Sequence, residues 1–66
     1  MKEFIIVHDA LTGKFMLIRT SMICTIEDTY RNEMSVRRLT YVDGRPEEYI
    51  SDTLVELMSD LGLDQE

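Results

Sequence analysis

Cysteine occurs once in this chain, at position 24, and histidine once, at position 8. A lone cysteine cannot close a disulfide within one chain, and one cysteine with one histidine leaves no metal-ligand spacing to read. Tryptophan is absent, and proline appears only at 46. Long apolar runs are missing too. The first uninterrupted one, Phe4 to Val7, is too short for a signal core, and nothing approaches the ~20 residues of a membrane span. With an unpaired thiol and no export signal, a reducing, cytoplasmic setting is expected. Basic charge is also scarce: seven lysines and arginines stand against thirteen acidic residues, for a net charge of −6. The deficit is uneven, because residues 1–42 balance at +1 and residues 43–66 at −7. A polyanion would be repelled by the second half and find little welcome on the first.

The 66 residues leave room for a single domain, 1–66. A core this small seldom contributes more than ~3–5 kcal/mol unaided, and natural domains of this size often add a staple. With disulfide and metal set aside, the remaining route is self-association or docking on a partner. A homo-oligomer is therefore expected, joined through a sheet edge or an exposed apolar patch. The apolar fraction of 44% is sufficient for a folded chain.

What is present reads as strands and one helix. "EFIIVHD" is rich in β-branched and aromatic residues, "ALTGK" supplies a turn, and "KFMLIR" returns, with Phe15 and Leu17 pointing one way and Met16 and Ile18 the other. After a break at "TSM", "ICTIEDTY" is a third strand and "RNE" a polar turn with Asn32 its natural left-handed residue. "MSVRRLTYV" is a fourth strand in which alternation fails, since Met34 and Val36 fall opposite Leu39 and Tyr41. A β-bulge at Arg37–Arg38 would bring both pairs to one face and leave the arginines toward water. "DGR" predicts a type I′ hairpin into a fifth strand, "PEEYI", which Pro46 marks as an edge. From residue 51 the period changes. Leu54, Leu57, Met58 and Leu61 form one helical stripe, with Ser51 as N-cap, Asp52 in the first turn and Gly62 as terminator. The predicted fold is a small α+β domain: a strongly bent antiparallel sheet of four to five strands followed by one C-terminal amphipathic helix.

Several of these segments occur together in a known family. Thr12-Gly13-Lys14 after a strand, Ile23, Ile26 and Glu27 in the next segment, and Gly44-Arg45 at a later hairpin resemble the small bacterial flagellar and swarming-motility proteins of the FlbD type. The resemblance covers about residues 5–61 through short motifs. It departs where Ser51-Asp52 replaces the usual Glu-Ser pair before the helix, and where "TYRNEMSVRR" is longer than the usual turn and strand. It implies a shared fold more firmly than a role in motility.

His8, Asp9 and Cys24 are the one conceivable nucleophilic set. Cys24 falls mid-strand, where a thiol behaves as a small buried hydrophobe, and no Gly-rich oxyanion turn accompanies it. The paired carboxylates Glu27–Asp28 and Glu47–Glu48 point to opposite faces of their strands and cannot converge on one atom. No enzyme activity, metal or cofactor is expected. Two binding surfaces remain. Asp52, Glu56 and Asp60 recur every four residues and would line an acidic helix face for a basic protein partner, with Met22 as a further contact. Alternatively Arg37, Arg38 and Tyr41 would form a basic, aromatic sheet face for nucleic acid. The leading expectation is a non-enzymatic binding or adaptor module acting on proteins; the alternative is a small nucleic-acid-binding regulator.

Overall fold

Period-2 alternation builds a hairpin at the start of the chain. In the computed structural model, which describes residues 3–63, β1 (Phe4–His8) pairs antiparallel with β2 (Phe15–Arg19). Ile5 stands opposite Ile18, Ile6 opposite Leu17 and Val7 opposite Met16. Asp9 closes the loop between them, its Oδ2 accepting the amides of Leu11 (3.0 Å) and Thr12 (2.9 Å). Gly13, at φ +76°, then turns the chain back in a conformation that a side chain would oppose.

A single 3₁₀ turn, Thr20–Met22, leads into β3 (Ile23–Arg31), which pairs with β4 (Met34–Tyr41). The two-residue link between them has positive φ at both Asn32 (53°) and Glu33 (64°), the type I′ geometry that suits the strand twist. That turn was expected at Asp43-Gly44. There, however, residues 42–47 separate β4 from β5 (Glu48–Ile50), and only Gly44 takes a positive φ. Pro46 lies in this longer loop, outside the strand. β5 is the outer strand of the three-stranded sheet, as expected: it pairs with β4 along one side, and its end meets the end of β1 through an isolated Asp9–Ile50 bridge. Ala10 N–H donates to the Tyr49 carbonyl (2.9 Å) and Ser51 N–H to that of His8 (3.0 Å), joining the two-stranded and three-stranded sheets.

The bulge expected at Arg37–Arg38 does not form; a different one lies on the neighbouring strand, opposite the far end of β4. From Thr25–Thr40 to Arg31–Met34 the β3–β4 register is unbroken, and the shift falls between Ile23 and Thr25. The extra residue is Cys24, which is exposed rather than buried. By absorbing the shift it lets Ile23, opposite Tyr41, and Ile26, opposite Leu39, both pack on the core. β4 stays regular and is buried on both faces instead, with Leu39 and Tyr41 inward and Val36 covered on the other side.

The core joins Ile5, Val7 and Ile18 of the hairpin to Leu39, Tyr41 and Ile50 of the larger sheet, with Leu57 of the helix closing it. Helix α1 (Leu54–Leu61) starts two residues later than expected. Thr53 is the N-cap, accepting the Glu56 amide on Oγ1 (3.1 Å) while Glu56 Oε1 accepts the Thr53 amide (2.9 Å). Ser51 is committed to the His8 carbonyl through its backbone, and Asp52 precedes the helix. Gly62, at φ 78°, ends α1 with its amide on Ser59 and that of Leu63 on Met58, a Schellman closure.

Candidate interaction face

The acidic line does not form. Asp52 turns back across the domain, accepting the His8 amide on Oδ1 (2.7 Å) and lying 3.0 Å from His8 Nδ1 through Oδ2. Glu56 is held in the capping box, and Asp60 is half-buried. Met22 packs against the core and offers its carbonyl to Val42 N–H (2.8 Å). Asp52 leaves the line because the helix begins after it, while Glu56 and Asp60 stay one turn apart on α1; Asp52 and Glu56 are engaged within the fold.

Nor do Arg37, Arg38 and Tyr41 share a surface. Strand alternation sends Arg37 and Tyr41 to the core face of β4 and Arg38 to the other. Arg37 is only 8% exposed, its guanidinium donating to Asp28 Oδ1 (2.9 Å) and the Ser35 carbonyl (3.0 Å). Arg38 is paired with Glu27 directly across the strand. The Nε atoms of both are shielded without a hydrogen-bond partner. Tyr41 is buried and donates to Glu48 Oε1 (2.9 Å). Burial, followed by that bond to a carboxylate, pushes its phenol up to about 12. Two of the other arginines are similarly occupied, Arg19 by Glu3 and Arg45 by Asp43, and Arg31 stacks on the Tyr49 ring at 4.3 Å. Hydrogen bonds from Arg45 hold the Asp43 carboxyl below its usual range. The Asp9 carboxyl is lowered too, chiefly by the Thr12 amide.

Among the described residues no group of three His, Cys, Asp or Glu side chains could hold a metal ion, and no helix is long and apolar enough to cross a membrane. An open cleft of about 350 Å³ lies where the β1–β2 loop approaches the β3–β4 turn, lined by Asp9, Leu11, Arg31, Met34 and Tyr49 among others. Its charged groups do not converge on one point.

The outer face of the β1–β2 hairpin is different. Register places three cross-strand rows there: Phe4 with Arg19, Ile6 with Leu17, and His8 with Phe15. Four of these six are large apolar side chains, 38% exposed at Phe4, 55% at Ile6, 76% at Phe15 and 66% at Leu17. Arg19 lies over the Phe4 ring at 4.7 Å, and the His8 ring meets Phe15 edge-on at 4.9 Å. The inner face of the same hairpin is core, so both faces are apolar and only one is covered. Sequence reasoning registered the two-sided pattern in "FMLI" without drawing its consequence. A strand apolar on both faces is normally covered on both.

No family model, curated protein or solved structure matches the chain.

Proposed function

We propose that this chain is a non-enzymatic binding module acting through protein–protein contacts, with the outer face of the β1–β2 hairpin as its contact surface. One observation carries the reading: Phe4, Ile6, Phe15 and Leu17 form a contiguous apolar patch on a rigid hairpin whose other face is core. Patches of several hundred Å² on small domains commonly mark binding surfaces. A reducing, cytoplasmic setting belongs to the same reading, since Cys24 is exposed and unpaired.

The nucleic-acid reading is weakened by the internal engagement of Arg37, Arg38 and Tyr41 and by the net charge of −6. The acidic helix face is weakened by the commitments of Asp52 and Glu56. The FlbD-type resemblance is compatible with a binding role and names no partner.

The test is a pulldown of the tagged full chain from its native lysate, with and without nuclease, beside Leu17→Glu. A discrete protein species that survives nuclease and is lost with Leu17→Glu is expected. Recovery of nucleic acid, or of the same species with both baits, would overturn the reading.

A further inference from the structure

The occupant of the hairpin face can be narrowed, granted that this face is the contact surface. We infer that it is a second copy of this chain, packed face to face about a two-fold axis running along the Ile6–Leu17 row.

Area is the first argument. The exposed fractions of Phe4, Ile6, Phe15 and Leu17 together amount to roughly 350–600 Å², taking about 150–250 Å² for each large apolar side chain. Two such faces bury roughly 700–1,200 Å² of apolar surface before any rim is counted. With Arg19 and His8 of the same face added, the total reaches the range of about 1,200 Å² at which specific interfaces begin.

Self-complementarity is the second. The face has three rows, apolar in the middle, with a cation beside an aromatic ring at one end and an imidazole beside an aromatic ring at the other. A two-fold axis along the middle row sets Ile6 against the second copy's Ile6 and Leu17 against its Leu17. The strands then run antiparallel across the interface. Arg19 meets the second copy's Phe15, and Phe4 meets its His8, so each end row supplies what the other end row accepts. Two sheets packed this way lie about 10 Å apart with their strands roughly aligned.

Charge is the third. The chain carries −6, which opposes association, but residues 3–20 hold Glu3 and Asp9 against Lys14 and Arg19 and are neutral. Residues 43–66 balance at −7, offset by +1 from residues 1–42. The hairpin therefore carries no net charge to oppose the approach of two copies, unlike residues 43–66. A domain this small, with no disulfide available within the chain, is also the size that gains most from an added buried layer.

The test is sedimentation of the full chain from about 1 µM to about 1 mM, the span in which a modest dimer dissociates. Leu17→Glu and Leu17→Lys are run singly and as an equimolar mixture. Leu17 is exposed and points away from the core, so each variant is expected to fold, with circular dichroism as the check. The wild type is expected to dimerise. Each variant alone sets two like charges against each other across the axis and is expected to weaken association by about 100-fold or more. The mixture, which places Glu against Lys, restores the dimer. A wild type that stays monomeric to about 1 mM overturns the inference, as does a dimer indifferent to both variants, which would place contact at a strand edge or on the helix. Failure of the mixture to reassociate overturns the two-fold register. If the wild type is monomeric while the pulldown retains a different protein lost with Leu17→Glu, the contact surface stands and the second copy does not. If neither is seen, both fall.

Discussion

Tyr41 shows how much of this protein's character is decided one side chain at a time. Its ring lies in the core, with its hydroxyl on Glu48 and the Arg45 guanidinium 5.1 Å from the ring centre. The neutral phenol is favoured because the phenolate would be desolvated and would face a carboxylate, so its folded pKa is raised to about 12 against an ordinary value near 10. A raised folded value means that the unfolded chain releases this proton first. Stability is therefore unaffected by Tyr41 below pH ~10 and falls as pH rises from about 10 to about 12. Denaturant titrations across that window are expected to show the decline in the wild type and a shallower one in Tyr41→Phe. Asp52 is the second case. Its carboxylate serves a half-buried amide and ring nitrogen of His8, 44 residues away in the chain. Asp52→Ala strips both partners and is expected to cost about 1–3 kcal/mol by urea unfolding, whereas Asp28→Ala, at an exposed carboxylate on Arg37, should cost about 1 kcal/mol or less.

Among the elements, α1 was legible in period and termination but not at its start. The spacing Leu54, Leu57, Met58, Leu61 and the glycine at 62 were sufficient to find it. "SDT" offered three capping residues in succession, and a cap is selected by which one has a glutamate three positions on and is free of other duties. Only Thr53 meets both conditions, with Glu56 closing the box and Ser51 tied to His8 through its backbone. Thr53→Ala is expected to lose about 1 kcal/mol of stability, and Ser51→Ala less than about 0.5 kcal/mol, measured in parallel urea unfolding. β3 and β4 make a complementary point. The broken alternation of β4 needed no extra residue, because β4 is buried on both faces, a fact that depends on what covers it rather than on its neighbours in sequence. The bulge at Cys24 answers a separate demand on β3, that Ile23 and Ile26 share the core face.

At the scale of the whole molecule, the smallness of the core governs behaviour. Among the described residues, five side chains are almost wholly excluded from solvent, Val7, Val36, Leu39, Ile50 and Leu57, and α1 contributes just one of them. Large apolar groups remain outside on the hairpin, and covering them would add stability to so small a core. If a second copy is that cover, the melting temperature must depend on protein concentration, because dissociation accompanies unfolding. Scanning calorimetry is expected to show a midpoint that rises by several degrees between about 10 µM and about 1 mM for the wild type, and stays flat for Leu17→Glu.

From the amino-acid order alone followed the α+β class, the hairpin with Phe15 and Leu17 opposite Met16 and Ile18, the left-handed Asn32, and the helix ending at Gly62. All of these depend on neighbours a few residues apart, through alternation, turn chemistry and helical period. What the order left open were questions about which face another element covers. Arg37 and Arg38 are adjacent and alike in sequence, but Arg37 is buried against Asp28 on one face of β4 and Arg38 is more exposed against Glu27 on the other, because β4 stays regular and alternates. Asp52 leaves the helix for His8 because Ser51 pairs with the end of β1. Phe4, Ile6, Phe15 and Leu17 stand in the same local pattern as the residues beneath them, and only the packing of β5, β4 and α1 against the opposite side of the hairpin makes one set core and the other surface.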